Sequence, residues 1–408
     1  MRPIEEQLAI LMQGTEYGDD QLKQAMEKEL RQRLVESERK GAPLRVYCGF
    51  DPRTSDLHLG HTVVMYKLRQ FQKLGHQVTF LIGTYTSLVG DPSDKDKLRP
   101  QLSFDEVMQN AETYAQQAFR ILDSERTLVR YNHEWLEKLT FEELIGLASN
   151  FTVQQFLARE SFRLRWDKGD GVYVHELFYA LMQGYDAVAQ ETDVQVGGSD
   201  QLFNIITAGR KLQSAFGQRP QVGIIMGILP GTDGKVKMSK SLGNHIRILA
   251  APEDMFGKVM SLPDEVMPTY FKLVTRYEPG QISAIEQALA DDSRHPMEIK
   301  MELAEEIVSI YHDQKAAQEA RAHFQRVFQR HQLPDEMPVF ELDSPMTIVS
   351  VMAAAGMTRS KGEARRLVQQ NAVSLDGVKI STIEHLIEPA GEQVLRVGRR
   401  RFVKIVDK

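Results

Sequence analysis

Apolar residues first recur at helical spacing. Leu22, Met26, Leu30 and Leu34 stand four apart among many charges, which predicts helix through residues 1–40. Gly41-Ala42-Pro43 ends it, and the period then shortens. Leu44–Cys48 is a brief apolar run broken by Gly49-Phe50-Asp51-Pro52. Val63, Val64, Leu68 and Phe71 mark the apolar face of a helix from about Gly60 to Leu74, and Gln77–Ile82 is a second short run. A strand, a helix and a strand in that order make a βαβ unit, and hence a parallel sheet.

The same reading continues along the chain. Ser103–Leu122, Thr140–Ala148 and Val174–Gln190 have helical patterns, whereas Thr127–Tyr131, Asp193–Val196 and Val222–Met226 read as strands. The expected organisation is an α/β domain over 1–245, interrupted by a mostly helical insertion at about 92–190. A helical domain follows over 246–331, without convincing strands. Pro334, Pro338 and Pro345 mark 332–344 as a linker. Residues 345–408 form a small α+β module, in which Asp376-Gly377 between apolar residues suggests a hairpin.

Composition adds exclusions. With 42% hydrophobic and 26% charged residues, wholesale disorder is ruled out. The single cysteine, Cys48, allows neither a disulfide framework nor a Cys-built zinc site, and no structural metal is expected. No apolar run approaches the roughly 20 residues of a membrane span, and the N-terminal residues lack a signal peptide's apolar stretch. The expectation is a soluble cytoplasmic protein with no membrane partner. Its formal charge of -6 argues against a uniformly basic surface. The charge is uneven, however. Residues 345–408 hold 11 Lys+Arg and 6 Asp+Glu, whereas the preceding 344 residues hold 39 and 50. A basic end on an acidic body suggests that this end meets a polyanion; a solvated basic surface is the plain alternative.

Two segments carry candidate chemistry. His58 and His61 flank Leu59-Gly60 at a strand-to-helix turn, three residues apart and so on one side. A helix N-terminus favours an anion, Gly60 lets a ligand approach the backbone, and two imidazoles could hydrogen-bond a phosphate. Capping or core packing is the ordinary alternative for one of the histidines. A metal reading needs further ligands, and no Cys or second HxxH supplies them. The second segment, Asp233-Gly-Lys-Val-Lys237-Met238-Ser239-Lys240-Ser241, places three lysines in six residues after a strand. Such a loop can close over a polyphosphate. A solvated basic loop is the bland reading.

Both segments, in this order and on either side of an α/β domain, resemble the two signatures of class I aminoacyl-tRNA synthetases. Tyr47-Cys-Gly49-Phe-Asp51-Pro, Gly90-Asp91-Pro-Ser, Tyr179-x-x-x-Gln183-x-Tyr-Asp186 and Gln195-Val-Gly-Gly198-Ser-Asp200-Gln201 are similar to the bacterial tyrosyl-tRNA synthetases. The likeness runs nearly end to end. It implies a Rossmann-like catalytic domain, a helical anticodon-recognition domain and an S4-like RNA-binding tail, acting as a homodimer in which the insertion supplies the interface. The implied partners are L-tyrosine, ATP with Mg²⁺, and tRNA(Tyr).

The resemblance also assigns residues. Tyr47 and Asp186 would meet the phenol hydroxyl, and Asp91, Tyr179, Gln183 and Gln201 the ammonium. Asp51 and Asp200 would support the ATP ribose and the amino group. His58 and His61 would hold the transferred phosphate, and Lys237 and Lys240 the pyrophosphate, with Gly49, Gly60, Gly198, Met238, Ser239 and Ser241 completing the ATP site. Lys361, Arg365 and Arg366 would contact RNA. Where many relatives carry Thr, this chain has Arg53, and Leu202-Phe203 stands in place of Trp-Gly. Tryptophanyl-tRNA synthetase shares the catalytic fold, but an indole can only donate, which favours a phenol opposite Tyr47 and Asp186. A small adenylyltransferase would lack the tail, and a non-enzymatic RNA-binding regulator would not need both signatures.

Overall fold

The short apolar runs become one parallel sheet. The computed structural model describes residues 2–52, 56–93, 102–329, 337–389, 391–398 and 401–407. In it β1 (Arg45–Phe50), β2 (Gln77–Ile82), β3 (Thr127–Tyr131), β4 (Val194–Gly198) and β5 (Val222–Met226) lie in the order β3-β2-β1-β4-β5, each pair parallel. All five residues of β5 are buried, as expected of a sheet covered on both faces. The chain runs from β1 outward to β3 and returns to the other side of β1 for β4. That reversal opens a crevice beyond the carboxyl ends of β1 and β4, where ligands bind in open sheets of this kind.

The N-terminal helix is not continuous. Ile4–Met12 stops, Gly14 and Gly18 take positive φ, and α1 (Asp20–Lys40) begins where Asp19 accepts the Leu22 amide at 2.7 Å. The intervening chain joins the sheet edge: Thr15 bridges to Met226, and Glu16 donates its amide to the Ile225 carbonyl at 2.7 Å. Periodicity alone could not see this break, because the pairing partner lies some two hundred residues away.

Helix α2 (Leu59–Lys73) crosses from β1 to β2. The insertion contains Phe104–Ala118, Phe141–Ala148, Val153–Leu157 and Glu160–Lys168 before α3 (Val174–Ala189). Ser103 with Glu106, Thr140 with Glu143, and Thr152 with Gln155 close capping boxes that start three of them. After β4 comes a π-helical stretch, Phe203–Gly209, a form often found at functional sites. Sequence periodicity gave no helix here. Beyond residue 246 come Pro252–Met260, Met267–Val274, Pro279–Ala290, Pro296–Tyr311 and Gln314–Phe324. Proline begins three of them, where its missing N–H costs nothing.

The chain divides into two units, Met1–Ala320 and Arg321–Lys408. In the second, β6 (Val339–Leu342), β7 (Met346–Thr347), α4 (Lys361–Gln369), β8 (Val373–Leu375), β9 (Val378–Lys379), β10 (Leu386–Ile387), β11 (Gln393–Val397) and β12 (Arg401–Asp407) surround a core that includes Ile348, Met352, Val368, Leu395 and Ile405. The main sheet has the order β6-β12-β11-β8-β9. Part of the expected linker is therefore a strand, since Val339–Leu342 pairs in parallel with β12; residues 332–336 of that segment lie outside the described residues. The Asp376-Gly377 hairpin forms, with φ of 46° and 80° at its two centres.

Candidate active site

The His58–His61 turn is a capping box made of imidazoles. His58 Nδ1 accepts the Gly60 amide at 3.2 Å, and His61 Nδ1 accepts the His58 amide at 3.2 Å. The rings stand 3.9 Å apart, centroid to centroid. Capping and phosphate binding are thus not alternatives, because using Nδ1 as acceptor leaves the proton of each neutral ring on Nε2. Burial, with the neighbouring imidazoles and the charges of Lys237 and Lys240, pushes the His58 pKa down to about 2. Burial and the same two lysines take His61 to about 4. Both rings stay neutral at physiological pH and offer N–H donors at the helix N-terminus. Gly60 keeps this turn uncrowded, since a Cβ there would lie 3.0 Å from the His58 ring.

The lysine loop is attached to this turn. Leu59 donates its amide to Ile246 at 3.0 Å, and Ile248 donates to Leu57 at 3.2 Å, so the arm after the loop pairs with the turn itself. Met238 is buried, and it is the neighbour that a Cβ on Gly60 would meet at 3.5 Å. Lys237 Nζ reaches Asp200 at the end of β4 at 2.8 Å. Ser239 and Ser241 share a hydroxyl contact at 2.9 Å. Burial lowers the Lys240 pKa, and Asp56 opposes that shift.

A second, drier group of side chains lies between β1 and α3. The Tyr47 hydroxyl donates to the Gln183 carbonyl at 3.4 Å. Burial, and then the nearby Asp186 carboxylate, raise its pKa well above the ordinary phenol value. Asp186 accepts Trp135 Nε1 at 2.7 Å and Asn132 Nδ2 at 3.3 Å. Burial still outweighs those donors, lifting its pKa to about 8, with the charge of Asp51 adding to the rise. The Tyr179 hydroxyl donates to Asp51 Oδ2 at 3.0 Å, and Thr86 donates to Asp51 Oδ1 at 2.8 Å. Gly83 makes that seat possible, as a Cβ would meet Asp51 Oδ1 at 2.3 Å. Gln183 Oε1 is buried without a partner among the described residues.

Asp91 anchors the third side. It accepts the Ser93 amide and hydroxyl at 2.9 and 2.6 Å, and the Gln201 amide nitrogen. Burial raises its pKa and Asp200 adds to this, while Ser93, Arg159 and Gln201 pull it down. Arg159 donates to Ser93 Oγ at 2.6 Å and lies 4.9 Å from the centres of the Phe162 and Phe203 rings. Asn204 bonds Gln201 at 3.0 Å.

The fold thus gathers the expected residues at the strand reversal, with some regrouping. Asp51 and Asp200, expected to act together, have separate partners: Tyr179 and Thr86 for one, Lys237 for the other. Gly49 and Gly198 end in the same crevice, on β1 and β4. Arg53 lies outside the described residues. Lys361, Arg365 and Arg366 are exposed on α4, whose Ala364 and Val368 face the core of the second unit. Asn132, Trp135, Thr86, Arg159 and Asn244 escaped the sequence reading, and Ser93 appeared in it only as part of the Gly90-Asp91-Pro-Ser motif. For Asn132 and Trp135 a signal existed: they directly follow a strand of a parallel sheet, at its carboxyl end. Among the described residues no group of three His, Cys, Asp or Glu side chains stands together as a metal site. No described helix is long and apolar enough to cross a membrane.

The tRNA synthetases class I (W and Y) match residues 39–329, which contain the whole crevice. The chain belongs to this family. Residues 329–404 match the tyrosine–tRNA ligase SYY-like C-terminal domain. Tyrosine–tRNA ligase of Moorella thermoacetica is 48% identical over 380 residues, 93% of this chain and 92% of that protein. Tyrosine–tRNA ligase 2 of Clostridium acetobutylicum is 42% identical over 406 residues, covering both chains completely. Among solved structures, a C-terminally truncated mitochondrial tyrosyl-tRNA synthetase of Aspergillus nidulans superposes with a TM-score of 0.62 at 22% identity, over 80% of this chain and 95% of that one. The tyrosyl-tRNA synthetase of Archaeoglobus fulgidus complexed with L-tyrosine gives 0.60 at 21% identity, over 78% of this chain and all of that one. These two likenesses concern the fold.

Proposed function

We propose that this chain is a tyrosine–tRNA ligase. It activates L-tyrosine with ATP to tyrosyl-adenylate and pyrophosphate, then transfers tyrosine to the terminal adenosine of tRNA(Tyr). The observation that carries this reading is that β1 and α3 bury a hydroxyl, Tyr47, and a carboxyl group, Asp186, close enough for the charge of one to act on the other. A phenol hydroxyl both donates and accepts, so it satisfies such a pair; an indole only donates, and a phenyl ring does neither. The partnerless Gln183 Oε1, with Tyr179 and Asp91, suits the substrate ammonium.

Attack of the tyrosine carboxylate on the α-phosphate needs no general base, because the carboxylate is already ionised. Catalysis is then positioning and charge stabilisation. The Nε2–H groups of His58 and His61 donate to the phosphate where negative charge grows. Lys237 and Lys240 neutralise the departing pyrophosphate, with Gly49, Gly60, Gly198, Asp200, Met238, Ser239 and Ser241 shaping the nucleotide site. Mg²⁺ enters as part of the substrate and neutralises triphosphate oxygens.

The reading includes a cytoplasmic homodimer and an RNA-binding tail. Phe141, Ile145, Val153, Leu164, Trp166, Tyr173 and Val174 of the insertion are large apolar side chains left exposed. A second copy would cover them. Residues 345–408 carry net positive charge and expose Lys361, Arg365 and Arg366, which suits an RNA backbone. The reading divides the chain into a catalytic domain to about 245, a helical anticodon-recognition domain and the tail. The test is ATP–pyrophosphate exchange with tyrosine, with tryptophan and with no amino acid. Exchange that depends on tyrosine is expected; exchange supported by tryptophan instead, or by neither, would sink the assignment.

A further inference from the structure

The loop that carries Lys237 and Lys240 is braced from beneath by one amide. Asn244 is buried, at 6% exposure. Its Nδ2 donates to Asp233 Oδ2 at 2.7 Å and to the Lys237 carbonyl at 3.3 Å, while its Oδ1 accepts the Ser239 amide at 2.8 Å. Its own carbonyl accepts the Thr232 amide at 2.8 Å. Asp233 turns its other oxygen to the amides of Lys235 and Val236, at 2.8 and 3.0 Å. The side chain of Asn244 therefore ties the start, the middle and the end of the loop together. Gly231 leaves room for it, since a Cβ there would lie 2.1 Å from Asn244 Nδ2.

We propose that Asn244 and Asp233 are positioning residues, a latch that holds the segment 233–241 in the shape that presents Lys237 and Lys240 to the leaving pyrophosphate. The proposal rests on the tyrosine–tRNA ligase reading for the chemistry, but the latch itself is a matter of geometry. Three lysines within six residues repel one another and favour an open, solvated loop. Only an amide fills the central position, because one end must donate to a carboxylate and the other must accept a backbone N–H. Aspartate at 244 would set two carboxylates against each other. Asparagine at 233 would set two amide donors against each other. Exchanging both restores a donor facing an acceptor, although the Lys237 carbonyl then loses its longer bond and faces a carboxylate oxygen instead.

The experiment compares the wild-type chain with Asn244→Asp, Asp233→Asn, the double variant and Asn244→Ala. ATP–pyrophosphate exchange, tyrosine affinity by equilibrium dialysis, and tryptic cleavage at Lys235, Lys237 and Lys240 followed by mass spectrometry are measured. Each single variant is expected to lose roughly ten- to a hundredfold in kcat for exchange, from broken buried hydrogen bonds. Tyrosine affinity should stay unchanged, and loop cleavage should speed up. The double variant should regain most of the rate and of the protection. Single variants with wild-type rate and cleavage would overturn the latch, as would a double variant no better than either parent. Absence of tyrosine-dependent exchange in the wild type would refute the functional reading instead, and tryptic protection would still decide the latch.

Discussion

The two ends of the crevice are built on different terms. The chamber around Tyr47 and Asp186 is walled by β1 and α3, and Tyr47, Asp186, Asn132 and Tyr179 are buried in it. The phosphate end is a turn and a loop, held by a few hydrogen bonds and by the Lys237–Asp200 pair, whose lysine is half exposed. A buried wall selects by the cost of leaving its polar groups unpaired, so it suits recognition. A loop can tighten as charge develops, so it suits catalysis and gains little from binding the ground state. Mutations at the two ends should therefore separate rate from selectivity.

The largest effect is expected at the loop. Lys240→Ala should lower the rate of adenylate formation by about 10²–10³-fold, the usual cost of removing one preorganised charge-stabilising donor. Tyrosine affinity should hardly change. Stopped-flow adenylate formation beside equilibrium dialysis measures both, and equal losses in the two would break the comparison. Next is Asp186→Ala. Leaving the substrate phenol without the acceptor proposed for it should reduce the preference for tyrosine over phenylalanine by about a hundredfold. Exchange assays with the two amino acids would read this, and an unchanged preference would contradict the role given to Asp186.

The smallest effect concerns pH. With folded-state values of about 2 and about 4, His58 and His61 remain neutral through the range where free imidazole titrates. Exchange should therefore vary less than about twofold between pH 5.5 and 7.5 on their account. Stability behaves otherwise. Their pKa values are depressed on folding, so the unfolded chain binds more protons below about 6.5. Stability should fall as pH drops from there towards 4, and rise with pH over the same window. Thermal unfolding of His61→Asn should show a weaker acid loss than the wild type. An acidic limb in the exchange profile near pH 6.5 that disappears in His61→Asn would show that the ring titrates after all.

Much of this site could be read from residue order, because signatures on strand-adjacent turns are local. Tyr179, Gln183 and Asp186 share a helix face by spacing alone, and β2, β3 and β5 begin and end where the apolar runs do. What escaped was non-local. Trp135 and Asn132 reach Asp186 across some fifty residues, and Arg159 reaches Ser93 across more than sixty. The break in the N-terminal helix has the same cause: the stretch from Thr15 to Glu16 pairs with β5, at the other end of the sheet's sequence. Val153–Leu157 is too short for periodicity to reveal, and in Glu160–Lys168 the apolar Phe162, Leu164 and Trp166 alternate as in a strand.

The sequence by itself determined the kinds of element, their order and the two charge classes, an acidic body and a basic end, because period and composition are properties of neighbouring residues. It also determined which residues could do the chemistry. Tertiary structure alone decided their state. Burial raised the pKa of the Asp186 carboxyl group and depressed those of both histidines, and the strand order brought β1 and β4 side by side. Desolvation and strand adjacency depend on what the rest of the chain places around a residue, so no local pattern could reveal them.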